Sequence, residues 1–328
     1  MSQLNELATQ ANLAFAAYAN LSIGIPDKQA LLDVKMTDSQ AADFVSKWTV
    51  AAQYTDASGA AATVFQENAT GKKYLAIRGS ESPGDFNADY ILALGFPSYL
   101  SPQFIQLRSQ VQTWISNGTL ASGFTITGHS LGGYLAAAIG TWFSGQAGET
   151  YLYNAPGIGG LVGNALDAFR AAFGFSNTAL VPDITSVRGT AGISLISGLG
   201  AQLAPPLFVE TESSLNPIDN HSIVGLTDAL ALYAAYAQLD PTASIDSITN
   251  ILKASGNQNA LTLETALDNL RELVFGATVP GTVPEGRDSS YADLYQLTDW
   301  LTARSNSGTA PALKIDALAP SNAWRLAA

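Results

Sequence analysis

Phe124-Thr125-Ile126-Thr127-Gly128-His129-Ser130-Leu131-Gly132-Gly133-Tyr134-Leu135-Ala136-Ala137-Ala138 decides the reading of this chain. A short alternating strand, Phe124–Thr127, runs into Gly128-His129-Ser130-Leu131-Gly132, a Gly-x-Ser-x-Gly pattern. A helix of small residues, Leu131–Phe143, follows. Chemistry at a serine of this kind needs a sharp turn between strand and helix. The hydroxyl then projects from the sheet edge, and the next backbone N–H groups point at a developing oxyanion. Gly128 and Gly132 stand where a side chain would collide with a neighbouring strand or helix. The five-residue pattern alone also fits an ordinary helix-capping serine; the strand before it and the Ala-rich helix after it favour the nucleophile.

A serine nucleophile needs a general base. The chain holds two histidines and no cysteine. His129 adjoins Ser130 in the turn, so its side chain is expected to point away from the hydroxyl. That leaves His221, in the loop Asn220-His221-Ser222-Ile223, as the base. An acid is expected between the two, because α/β-hydrolases run Ser, acid, His along the chain. Asp167 falls inside a predicted helix, and Glu149 precedes a strand at the wrong end of the sheet. Asp183 is the preferred acid if Thr178–Val181 is a strand. If the strand is Ile184–Arg188 instead, Asp183 lies at its wrong end, and Glu210, Glu212 or Asp219 takes its place.

Outward from this segment, strands alternate with helices. Leu4 to Tyr18 and residues 39–53 follow helical spacing. Ala61–Gln66 and Lys73–Arg78 read as strands joined by the turn Asn68-Ala69-Thr70-Gly71. A helix over Gln103–Ser116, a strand over Thr150–Asn154, a helix over Gly160–Phe173, a strand within Thr178–Arg188 and a helix over Leu226–Leu239 complete the pattern. The expectation is an α/β-hydrolase with a mainly parallel sheet flanked by helices, over residues 1–241. Beyond Pro241, Ile245–Ala254, Leu261–Phe275 and Tyr291–Arg304 are helical with no strand between them. Residues 242–328 are therefore expected as a helical C-terminal region.

Composition excludes several functions. Of 328 residues, 47% are hydrophobic and 13% charged, so the chain can bury a large core. The net charge of −12 repels phosphate backbones, so nucleic acid is a poor partner. A zinc site would have to lean on carboxylates, which makes metal hydrolysis a poor fit. Glu81, Asp85 and Asp89 match no calcium-loop spacing. No basic run precedes an apolar stretch at the N-terminus, and the charge-free stretch Gly189–Val209 carries too many Gly, Pro and polar residues for a membrane span. The expectation is a soluble chain, either extracellular by a route without an N-terminal signal or cytoplasmic.

Ala76-Ile77-Arg78-Gly79-Ser80, the Gly128–Gly133 elbow and Tyr153-Asn154-Ala155-Pro156-Gly157 together resemble the class 3, fungal-type lipase family. Asn220-His221-Ser222 resembles the His segment of its bacterial members. The likeness covers residues 1–240 in order, and the tail departs from the compact fungal enzymes. It implies an oxyanion hole from the Ser80 N–H and hydroxyl with the Leu131 N–H, no cofactor, and a lipid ester as substrate, with a lipid interface as partner. The expected activity is carboxylic ester hydrolysis, as a triacylglycerol lipase or phospholipase A1. Alternatives are a non-catalytic lipid-binding or interaction module on the same scaffold, or an acyltransferase. The resemblance also places a mobile lid within Ile91–Leu107, which reads equally as a loop and core helix. Gly189–Val209 could line an acyl trough.

Overall fold

The first three strands form an antiparallel meander. Strand β1 (Trp48–Thr55) pairs with β2 (Ala61–Glu67), and β2 with β3 (Lys73–Ile77). Gly71, at φ +73°, supplies the left-handed residue that closes the turn between β2 and β3. From β3 onward pairing is parallel: β4 (Phe124–His129), β5 (Ala147–Tyr153), β6 (Ile184–Gly189) and β7 (Pro206–Val209) follow in sequence order. Parallel neighbours need crossovers, so the C-terminal ends of β3 to β7 share one edge of the sheet. The molecule, a computed structural model, is described over residues 2–79, 97–157, 183–190, 204–212, 217–255, 262–275 and 286–308.

Helices cover both faces, giving the α/β-hydrolase architecture. These are α1 (Gln3–Ala16), α2 (Lys28–Asp33), α3 (Asp38–Lys47), α4 (Pro97–Ser116), α5 (Leu131–Trp142), α6 (Pro217–His221) and α7 (Ile223–Leu239). Against one face, Leu7 and Phe15 of α1 and Leu230 and Tyr233 of α7 bury Tyr153 and Val187. Against the other, Phe104 and Val111 of α4 and Ile139 of α5 bury Leu75, Ile77 and Ile126. Two polar residues of the sheet that face α1 are satisfied there. Thr127 Oγ1 donates to the Gln10 carbonyl at 3.0 Å and the Tyr153 hydroxyl to the Leu7 carbonyl at 2.6 Å.

The tail contributes α8 (Ile245–Ser255), α9 (Thr262–Phe275) and α10 (Arg287–Asn306). Ile248, Leu252, Leu270, Leu294 and Leu297 join the same buried cluster as α7. Arg287 donates from Nε and Nη2 to both oxygens of Asp228 on α7, at 2.7 and 2.8 Å, and the Tyr291 hydroxyl donates to Asp228 at 2.8 Å. A bidentate, partly shielded pair of this kind fixes orientation as well as contact.

Two helical expectations are corrected. Residues 39–53 are not one helix: α3 stops at Lys47 and β1 begins at Trp48. Trp48, Val50 and Ala52 alternate inward with period two, and pairing with β2 overrides the helical spacing of the alanines. Helix α4 starts at Pro97 rather than Gln103, with Pro102 inside it. Strand β7, four residues long, was not expected. The predicted helix Gly160–Phe173, and the residues Glu81, Asp85, Asp89 and Asp167, lie outside the described residues. Of the lid candidate, 91–96 also lie outside; Phe104 and Leu107 are buried core residues of α4, whereas Ile105 is exposed.

Candidate active site

Strand β4 ends at His129 and α5 begins at Leu131, so Ser130 alone makes the turn. Its φ of +58° and ψ of −129° lie outside the regions L-residues favour, a strain of about 1–3 kcal/mol that the surroundings must hold. They hold it from both sides. The Ser130 N–H donates to the Tyr153 carbonyl of β5 at 2.9 Å, and the Ser130 carbonyl accepts from Gly133 N–H at 3.0 Å. Two close approaches require glycine. A Cβ on Gly128 would run into the Gly132 carbonyl. One on Gly132 would run into the Ile77 carbonyl oxygen and lie 2.7 Å from the Arg78 carbonyl carbon.

Ser130 occupies the N-cap position of α5, yet its side chain makes no capping hydrogen bond. Its Oγ lies 2.9 Å from His221 Nε2 instead. His221 is brought there by the junction of α6 and α7. The Ser222 N–H donates to the Asp219 carbonyl at 3.0 Å, and Ser222 Oγ caps α7 by accepting from Val224 N–H at 3.2 Å. Both side chains are buried, Ser130 at 1% exposure and His221 at 3%. Burial, and then the neighbouring His129, hold His221 well below the ordinary imidazole range, so the ring is neutral near pH 7 and ready to accept a proton. Leu131 is the first residue of α5, where backbone N–H groups have no partner within the helix and the helix dipole favours negative charge. Ser80 lies outside the described residues, but its neighbour Gly79 abuts the elbow: a Cβ on Gly132 would sit 2.8 Å from Gly79 N.

The structure does not bring Asp183 to this pair, which corrects the preferred acid. The described strand is Ile184–Gly189. Thr150 pairs with Ile184 and Tyr153 with Val187, so Asp183 precedes the strand at the end of the sheet opposite Ser130. Its side chain is exposed, and its carbonyl accepts from Thr150 N–H at 2.8 Å. Among the alternatives, Glu210 accepts from the Thr190 hydroxyl at 2.7 Å and lies 3.8 Å from Lys253 Nζ. Glu212 accepts from Leu263 N–H at 3.0 Å; burial foremost, with Glu264 and Asp228 nearby, pushes its carboxyl up to about 7. Asp219 is exposed on α6.

Three participants were not legible in the sequence. His129 does point away from Ser130 Oγ, but it is not idle: its Nε2 lies 2.8 Å from the His221 carbonyl oxygen and its Nδ1 2.9 Å from the Tyr18 hydroxyl. Asn154, at the end of β5 with φ +44°, donates from Nδ2 to the same carbonyl at 3.1 Å. Its Oδ1 accepts from Gly189 N–H at 3.1 Å. Nothing in the periodicity around Tyr18 marks it. Asn154 stood within the Tyr153–Gly157 motif without a role.

Burial pushes His129 down to about 4. The sign of the resulting pH dependence follows. Unfolded, the ring titrates near 6.5; folded, it resists protonation. Stability from this group is therefore complete above pH 6.5 and is lost as pH falls toward 4, by about 3 kcal/mol. Glu212 works in the opposite direction, since its raised carboxyl favours the folded state at lower pH. The measurement is thus a difference: denaturant unfolding of wild type and His129→Gln from pH 7.5 to 4.5. Wild type should lose more stability than the variant across that window, by roughly the stated amount.

No protein-family model matches the chain, and no curated protein matches it. Similar solved structures include the Lip2 lipase from Yarrowia lipolytica, at 16% identity, covering 66% of this chain and 82% of that one with a TM-score of 0.41. A triacylglycerol lipase from Penicillium expansum is 14% identical over 67% of this chain and 88% of its own, with a TM-score of 0.38. A Rhizomucor miehei lipase in complex with its propeptide is 15% identical over 68% and 77%, also with a TM-score of 0.38. These are fungal proteins; none of the three speaks for a bacterial branch. Likeness this distant says nothing of the chemistry, which rests on this chain's own residues.

Proposed function

We propose that this chain is a serine carboxylic ester hydrolase acting on lipid esters. One observation carries the reading: a strained, buried serine whose hydroxyl lies 2.9 Å from the Nε2 of a neutral, buried histidine. In the first step Ser130 Oγ bonds to the ester carbonyl carbon, its proton passes to His221 Nε2, and the carbonyl π electrons move onto oxygen. The Leu131 N–H, with the Ser80 N–H and hydroxyl that the resemblance to class 3 lipases implies, stabilises that oxyanion. Collapse expels the alcohol, which takes the proton from His221. Water attacks the acyl-enzyme with His221 again as base, releasing the acid and restoring Ser130. Lipid as the ester class, whether a triacylglycerol or the sn-1 ester of a phospholipid, is supported by the residues that resemble class 3 lipases and by an uncharged, apolar stretch on either side of the site in sequence.

A p-nitrophenyl alkylphosphonate tests this directly. It should release one equivalent of p-nitrophenol and leave its phosphonyl mass on the peptide containing Ser130. Wild-type protein that takes no label and turns over no ester of any chain length would return the chain to the binding-module reading. Partition of the acyl group to an added alcohol rather than water would make it an acyltransferase. Because His221 is held below the usual imidazole range, kcat/KM for a neutral p-nitrophenyl ester should stay on its plateau below pH 6.5 before falling.

A further inference from the structure

The hydrolase reading uses the imidazole of His221; it leaves unexplained why the peptide carbonyl of the same residue is so heavily engaged. That oxygen accepts from Asn154 Nδ2 at 3.1 Å and lies 2.8 Å from His129 Nε2. A carbonyl has two lone pairs, and here each has its own side-chain donor. The donors come from the end of β4, which leads into the elbow, and from the end of β5 beside it. Asn154 is 1% exposed and His129 5%, so neither hydrogen bond competes with solvent. Asn154 is itself fixed, through Oδ1 to Gly189 N–H and through its own N–H to the Val187 carbonyl at 2.9 Å.

The protonation of His129 follows from its partners. A carbonyl can only accept, so His129 Nε2 carries the hydrogen and donates. Burial keeps the ring neutral, so Nδ1 holds a lone pair and accepts from the Tyr18 hydroxyl at 2.9 Å. Tyr18 lies just beyond α1 and is packed so closely on the end of β3 that a Cβ on Gly79 would run into its hydroxyl. The opposite tautomer would set a lone pair against the carbonyl oxygen and leave two hydrogens facing each other at Tyr18 unless its hydroxyl turned away.

We infer that Tyr18, His129 and Asn154 are positioning residues that clamp the backbone of the catalytic base: Asn154 and His129 hold the His221 carbonyl, and Tyr18 steadies the His129 ring by donating to its Nδ1. The inference rests on the assignment of Ser130 and His221 as nucleophile and base. The clamp fixes where the imidazole hangs relative to Ser130 Oγ, and reacting groups displaced by about 1 Å lose on the order of 100-fold in rate.

The experiment has two arms. In the first, His129→Leu should lower kcat about 100-fold with KM for a p-nitrophenyl ester changed less than about twofold. His129→Gln, whose amide nitrogen can replace the Nε2 donor, should recover at least tenfold of that loss, on the order of one lost hydrogen bond. Tyr18→Phe should lower kcat about tenfold on the same scale. In the second arm, no catalysis is needed. A chain with two histidines gives two imidazole spin systems after 15N-histidine labelling. His129 should show the Nε2–H tautomer and stay neutral well below pH 6.5, and Tyr18→Phe should shift the His129 Nδ1 resonance, which loses its hydrogen bond, and move the His221 signals. An Nδ1–H tautomer for His129 in wild type, or an unchanged kcat in folded His129→Leu, overturns the clamp. Absence of ester turnover in wild type, with the NMR signature intact, overturns the hydrolase reading and leaves the clamp as a purely architectural feature.

Discussion

Ser130→Ala is expected to lower ester turnover by about 10⁵- to 10⁶-fold, the scale on which loss of a serine nucleophile from a Ser–His site is felt. The fold should survive the change. Alanine keeps the Cβ, so the strained φ of +58° is neither relieved nor worsened. The backbone bonds from Ser130 to Tyr153, Gly133 and Tyr134 do not involve the hydroxyl. What is lost structurally is one hydrogen bond to His221, about 1 kcal/mol. Initial rates with p-nitrophenyl esters, beside thermal unfolding of both proteins, check the two halves together. A variant with a melting curve close to wild type and more than about 1% of its activity would mean the hydroxyl is not the nucleophile, since removing a serine nucleophile leaves far less than that.

What the sequence disclosed and what it withheld divide along physical lines. The elbow was legible because its requirements are local: a strand, a turn that tolerates only glycine on either side, and a helix, all within fifteen contiguous residues. His221 was legible by elimination, since the chain offers one other imidazole and that one is adjacent to the serine. The acid was not, because its assignment depends on which end of a strand a residue occupies. A shift of β6 from Thr178–Val181 to Ile184–Gly189 carries Asp183 from one end of the sheet to the other. Strand β1 was hidden for a related reason: Val50-Ala51-Ala52 suits either period, and only the partner strand decides. Tyr18 and Asn154 act through contacts spanning 111 and 67 positions of sequence, which no local pattern encodes.

The elbow's dependence on glycine gives the largest expected effect on stability. Gly132→Ala places a methyl group against backbone atoms at the end of β3 and just beyond it: the Ile77 carbonyl oxygen, the Arg78 carbonyl carbon at 2.7 Å and Gly79 N at 2.8 Å. A crowded side chain could rotate away; a strand held in the sheet between β2 and β4 cannot. Either α5 retreats from the sheet, breaking the packing of Leu131 and Leu135 on that face, or β3 bends away from β4. The cost should be about 3 kcal/mol or more, at the upper end of overpacking penalties. Activity should fall with it even in the folded fraction, because the Leu131 N–H and Gly79 move apart. Gly145→Ala is the matched control. A Cβ there meets nothing within 4 Å, and its φ is not in the left-handed region, so its effect should lie within about 1 kcal/mol of zero. Denaturant midpoints for the two variants separate the explanations. If Gly132→Ala unfolds no more readily than Gly145→Ala, the elbow has slack that the geometry denies, and α5 can stand off from β3 at little cost.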